Sequence, residues 1–177
     1  MRVIAGEFRS RRLLSIPGLD TRPTPDRLRE TLFNILGPGV QGRVFVDAYA
    51  GTGAVGIEAL SRGAQTAIFI EKDKKAIETI EANLRDLRIA GRARVIRGSA
   101  HLYLGGIEAD IVFLDPPYTK EHEYTACFEV LTAKPPDLTI AQHSSRLLLA
   151  DGYGPLHRTR VVKQGDNALS FYRAETV

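Results

Sequence analysis

Short apolar runs that alternate with stretches of helical periodicity constrain this chain more than any other feature. Val44–Val46, Thr66–Ile70, Ala93–Arg97, Asp110–Leu114 and Arg146–Ala150 read as strands. Runs of this kind are typical of strands in a parallel sheet with helices on both faces. Between them, Val55, Ile57, Ala59 and Leu60 mark one helix, and Ile77, Ile80, Leu84 and Leu87 a second that Gly91 should stop. Tyr124, Phe128 and Leu131 mark a third. The end of the chain differs. His157–Lys163 and Ala168–Ala174 are joined only by Gln164-Gly165-Asp166-Asn167. A parallel crossover needs about a dozen residues or more, so these two runs pair antiparallel. Phe171 and Tyr172 are expected to pack this hairpin onto the sheet. The expected fold is α/β: a mostly parallel, doubly wound sheet of seven strands with an antiparallel C-terminal hairpin. Ligands of such sheets sit at the carboxyl ends of the strands.

Ahead of this pattern, Arg2–Ala5 and Arg12–Ile16 read as a small β-hairpin. Thr24 is expected to cap a helix with Pro25 in its first position, followed by Leu28, Leu32, Ile35 and Leu36 and ended by Gly37-Pro38-Gly39. The net charge of +3 is unevenly spread. Residues 1–29 hold Arg2, Arg9, Arg11, Arg12, Arg22, Arg27 and Arg29 against Glu7, Asp20 and Asp26. A basic segment made only of arginines suits contact with phosphate.

With 44% hydrophobic and 25% charged residues, the 177-residue chain has the makings of a single well-cored domain. Its one cysteine, Cys127, excludes an internal disulfide framework and fits a reducing compartment. No apolar run approaches membrane-spanning length and no signal region follows Met1, so a cytoplasmic protein is expected, with a monomer as the default. His101, His122, His143 and His157 show no metal-ligand spacing among themselves or with Cys127, and no metal is expected. Tyr49 and Tyr103 could flank the cofactor, with packing the favoured reading.

Two motifs carry chemistry. Gly51-Thr52-Gly53-Ala54-Val55-Gly56 matches the G-x-G-x-x-G turn between a strand and a helix, and Glu71 follows Gly51 by twenty residues. This pattern serves dinucleotide and S-adenosylmethionine (SAM) sites alike. Asp47, at the end of the preceding strand, favours SAM: a carboxylate there repels a pyrophosphate but attracts an ammonium and a sulfonium. The second motif is Asp115-Pro116-Pro117-Tyr118, which ends the fourth strand. An exocyclic amine of a nucleobase is a poor nucleophile because its lone pair is delocalised into the ring. Acceptors around its N–H bonds draw it toward tetrahedral geometry. Asp115 and the Pro116 carbonyl can be those acceptors, and the prolines fix φ and lack competing N–H groups. Tyr118 offers a ring on which an extruded base can stack.

These residues resemble the Asp/Asn/Ser-Pro-Pro-Tyr/Phe signature of nucleic-acid amino-methyltransferases. More specifically, MRVIAGEFRSRRL, TRPTPDRLRETLFNIL, DAYAGTGAVGIEALSRGA, VFLDPPY and GDNALSFY, in that order, closely resemble the RsmD family of 16S rRNA guanine-N2 methyltransferases. The resemblance implies the SAM-dependent methyltransferase (Rossmann-like) fold, with residues 1–23 as a basic β-hairpin extension and 24–177 as the methyltransferase domain. It implies a cofactor site of Asp47, Ala50, Gly51, Thr52, Gly53, Glu71, Lys72, Ser99 and Ala100, with Glu71 on the ribose and the last two near the adenine. Asp115, Pro116, Pro117 and Tyr118 would receive the guanine, releasing S-adenosyl-L-homocysteine (SAH). Arg9, Arg11, Arg12 and Arg22 would contact the 16S rRNA or the assembling small subunit. The chain departs from the family in having Ser99 where Asp is commoner, Ala150-Asp151 where strand five usually ends in Glu, and Asn167 where Thr is commoner. DNA adenine-N6 methylation, a non-catalytic RNA-binding or ribosome-assembly role on the same fold, and a nucleotide-dependent dehydrogenase are the other readings of these residues.

Overall fold

Residues 1–16 and 25–175 are described by the computed structural model, in which eight strands form one sheet. The parallel part contains β1 (Val44–Asp47), β2 (Thr66–Glu71), β3 (Ala93–Arg97), β4 (Ile111–Leu114) and β5 (Leu138–Ser144). β6 (Gly152–Tyr153), β7 (Leu156–Gln164) and β8 (Asn167–Ala174) follow. Helix α1 (Asp26–Leu36) precedes β1. The connections carry α2 (Ala54–Ser61), α3 (Lys74–Asp86), the short α4 (Ala100–Tyr103) and α5 (His122–Leu131). The spatial order is β3-β2-β1-β4-β5-β8-β7-β6, and β8 lies antiparallel to both β5 and β7. The order reverses between β1 and β4, which opens a crevice at their carboxyl ends.

Strand alternation divides the core between the two faces of the sheet. Phe45, Phe69 and Phe113 point to one face with α2 and α3, whereas Val46, Ile68 and Leu114 point to the other with α4 and α5. Tyr172 and Phe171 of β8 are buried on opposite faces, which fixes the hairpin on the sheet.

The fifth strand is not the expected one. It is Leu138–Ser144, and Arg146–Ala150 forms no strand, with Leu148 89% exposed. Thr139, Gln142 and His143 break the apolar run of β5, yet all are buried. β4 and β8 pair both edges of β5, and the His143 ring is satisfied by Ser170 Oγ and the Ser144 carbonyl at 2.8 Å each. Strand five therefore ends in Gln142-His143-Ser144, and the Ala150-Asp151 comparison made above does not apply. The two-residue β6 is an addition beyond the expected seven strands. Helix α3 stops at Asp86, short of Gly91, where Arg88 takes a left-handed φ of 59°. Pro25 caps α1 and Asp26 is its first residue; Thr24 lies outside the described residues.

At the N-terminus the expected hairpin is reduced to one antiparallel bridge between Arg2 and Arg12. Two backbone bonds flank it, Val3 N–H to the Arg11 carbonyl and Leu13 N–H to the Met1 carbonyl, both at 3.0 Å, and the chain turns away at Gly6 and Ser10, which take positive φ. The N–H groups of Ile4 and Ala5 donate to the Glu58 carboxylate at 2.9 and 3.0 Å, and that of Leu14 to Asn83 Oδ1 at 2.7 Å. Val3 and Leu13 are buried in the same core as Leu28, Ile57 and Leu60. The segment is thus held to α2 and α3 by side chains in addition to its own short backbone pairing.

Candidate active site

A cavity of about 620 Å³ opens at the carboxyl ends of β1, β2 and β4. Asp47, Ala50, Gly51, Thr52, Glu71, Lys72, Ser99, Ala100, Asp115, Pro116, Pro117 and Tyr118 all line it, so the two sequence motifs meet in one space. Gly53 does not line it. Its φ of +82° lets the chain turn from β1 into α2, and a Cβ there would press on Phe69 and Ile80. A Cβ on Gly56 would come within 2.4 Å of the Phe69 ring, so this glycine permits close packing of α2 on β2.

Asp47 ends β1 and is buried, with Oδ2 accepting from the Gly56 N–H at 3.0 Å. Burial pushes its carboxyl up to about 7, opposed by the Gly56 hydrogen bond and helped by the charge on Glu71. The folded protein therefore holds this proton more tightly than the unfolded chain, and the group lowers stability as pH rises from about 4 to about 7. Asp47→Asn keeps an acceptor for Gly56 without the charge. In ligand-free melting curves the variant is expected to gain stability relative to wild type at pH 8 but much less at pH 5. An equal difference at both pH values would contradict this.

Glu71 ends β2 and folds over the turn. Oε2 accepts from the Gly51 N–H at 2.8 Å, and Oε1 from the N–H groups of Lys72 and Asp73 at 2.8 and 3.0 Å. Asp115 follows β4 directly and is half-buried, Pro116 is buried, and Pro117 and Tyr118 are exposed. The Tyr118 hydroxyl donates to Asn167 Oδ1 at the start of β8, a contact that ties the motif to the C-terminal hairpin. Lys120 lies beside Lys72 and its ammonium is pushed below its ordinary value, chiefly by that neighbour.

The sequence motifs omit several residues of the wall. Tyr49, for which the sequence favours packing over a place beside the cofactor, lines the cavity and donates to Glu123 Oε2 at 2.8 Å. Glu123, Gln142 and Asn167 line it as well, as do Met1, Ser15, Ile16 and Pro25 from the N-terminal part. A polar residue ending an apolar run was the available signal for Gln142, whereas Glu123, which follows Lys120, Glu121 and His122, gave none. Arg9, Arg11 and Arg12 are exposed and do not line the cavity. Phe8, beside Arg9, donates its N–H to Ser61 Oγ at the end of α2, and Arg11 donates to the Asp86 carbonyl at the end of α3. This is the amino end of the sheet, opposite the cavity. Arg22 lies outside the described residues.

The sheet order, the glycine turn and the Asp-Pro-Pro-Tyr corner at one cavity define a methyltransferase of the doubly wound class. Comparison with known proteins agrees. A family described as "Conserved hypothetical protein 95" matches residues 1–173. The chain is 36% identical over 182 residues to YlbH of Bacillus subtilis, assigned as an rRNA methyltransferase, covering 98% of each protein. It is 44% identical over 124 residues to ribosomal RNA small subunit methyltransferase D of Escherichia coli, covering 68% of this chain and 61% of that protein. The solved structure of Escherichia coli yhhF, assigned as a methyltransferase, superposes with a TM-score of 0.84 at 34% identity over 100% of this chain and 99% of that one. The chain belongs to the RsmD family.

Proposed function

We propose that this protein transfers a methyl group from SAM to the N2 amine of one guanine in 16S rRNA. The observation that carries the reading is the convergence of Asp47, Glu71 and Asp115 on one cavity, with Tyr118 at its rim. The cavity suits SAM: buried or half-buried carboxylates face a ligand with an ammonium, a sulfonium and a ribose diol, and Ala48, Ile70 and Phe113 supply apolar wall. Asp47 and the Gly51-Thr52 turn would hold the methionyl end, Glu71 and Lys72 the ribose side, and Ser99 with Ala100 the adenine. SAM brings an electrophilic methyl on sulfur and leaves as SAH.

The protein's own part is to make the amine nucleophilic. Asp115 and the Pro116 carbonyl accept its N–H bonds, which localises the lone pair for attack. As the N–C bond forms and the S–C bond breaks, Asp115 offsets the positive charge on nitrogen and takes up the released proton. Tyr118, held by Asn167, presents its ring to the base. The adjoining Lys72 and Lys120 favour a polyanion at the mouth, and Arg9, Arg11 and Arg12 would engage RNA backbone further from the target nucleotide. On this reading residues 1–23 serve as the RNA-facing extension of the domain at 24–177.

Labelled SAM offered with small ribosomal subunits, naked 16S rRNA or duplex DNA tests the substrate. Label is expected in ribosomal RNA, as N2-methylguanosine after digestion. Transfer to duplex DNA alone would replace this reading with adenine-N6 methylation.

A further inference from the structure

Glu123 takes no part in the chemistry just described, yet it is built into the cavity wall. It sits in the first turn of α5 with its side chain 11% exposed. Oε2 accepts from the Tyr49 hydroxyl at 2.8 Å and lies 3.7 Å from His101 Nδ1. Burial pushes the Tyr49 hydroxyl well above its ordinary range, so it remains a neutral donor that fixes the carboxylate. Cys127 Sγ, 3.1 Å from the same hydroxyl, is likewise kept as a thiol, pushed up to about 11 chiefly by burial. No described residue donates to Oε1, which leaves that oxygen as an acceptor for whatever occupies the cavity.

The position says which part of a nucleoside would meet it. With a ribose diol at Glu71 and the methionyl end over the Gly51 turn, the base extends toward the start of α4. There Ser99, Ala100, Tyr49 and Glu123 form the wall. Ser99 offers only a hydroxyl, whereas Glu123 offers a fixed anionic acceptor. Resting on the SAM reading above, we propose that Glu123 reads the adenine: Oε1 accepts a hydrogen bond from its exocyclic N6 amine. Hypoxanthine presents an oxygen at the same place, and acceptor would then face acceptor.

Calorimetric titration with SAH and with S-inosyl-L-homocysteine tests this without any RNA. Wild type is expected to prefer SAH by at least about tenfold. Glu123→Ala should weaken SAH about 10- to 100-fold, the effect of losing a hydrogen bond to a charged group, while S-inosyl-L-homocysteine changes by less than about threefold. Glu123→Gln can keep its oxygen on Tyr49 and turn its NH₂ to the cavity, so its preference should shift toward the inosyl ligand. Equal weakening of both ligands in Glu123→Ala would show a wall residue only and overturn the proposal. An unchanged preference in both variants would overturn it too. Failure of wild type to bind either ligand would instead overturn the SAM reading, and this proposal with it.

Discussion

Asp115→Ala is expected to leave SAM affinity within about tenfold of wild type while lowering methyl transfer on the order of 1,000-fold. The separation follows from position. Asp115 leaves the carboxyl end of β4 beside two prolines, whereas the groups suited to SAM, Asp47, Gly51 and Glu71, come from β1, the glycine turn and β2. Removing the carboxylate takes away an acceptor for the attacking amine and the group that meets its developing charge, and leaves the cofactor's own partners in place. Single-turnover transfer and SAM calorimetry on the same preparation measure the two quantities. Comparable losses in both would move Asp115 into the cofactor site.

Glu58→Ala is expected to be the most destabilising single change outside the cavity, at about 3–5 kcal/mol. Glu58 is wholly buried and accepts from the N–H groups of Ile4 and Ala5 and from Arg62 Nε at 2.8 Å. Arg29, also wholly buried, places Nε 3.8 Å from Glu58 Oε2 and donates to the Arg2 carbonyl at 2.6 Å. Its guanidinium is pushed below its ordinary value by burial, and Asp26 and Glu58 only partly offset this. Without Glu58 the buried cation loses a counter-charge and the N-terminal segment loses its anchor on α2. Urea unfolding at neutral pH measures the loss. A change below about 1 kcal/mol would mean that water or side-chain rearrangement replaces the carboxylate. Because Met1, Ser15 and Ile16 line the cavity, the same change should also weaken cofactor binding.

The parallel sheet and its C-terminal hairpin were legible because their signals are local: apolar runs, helical spacing and a loop too short to cross over. The cavity motifs were legible for the same reason, since Gly51–Gly56 and Asp115–Tyr118 are contiguous in sequence. β5 was not, because Gln142 and His143 read as polar although both are buried, and the His143 ring meets Ser170 only when β5 and β8 pair. The Tyr49–Glu123 pair was not legible either: the two residues are 74 apart and meet only when β1 and α5 pack. The N-terminal strands were overread because strand pattern alone does not show that the chain turns at Gly6 and Ser10, or that Glu58 and Asn83, distant in sequence, anchor it to α2 and α3. Arg9 and Arg11 were legible as a charge excess, but charge counting could not show that they stand at the end of the sheet away from the cavity.

Nucleoside mass spectrometry of 16S rRNA from a strain lacking this protein is the most direct test of its function. The expected result is the loss of one N2-methylguanosine per 16S rRNA, restored by the wild-type chain and not by Asp115→Ala. An unchanged N2-methylguanosine content would contradict the proposed reaction.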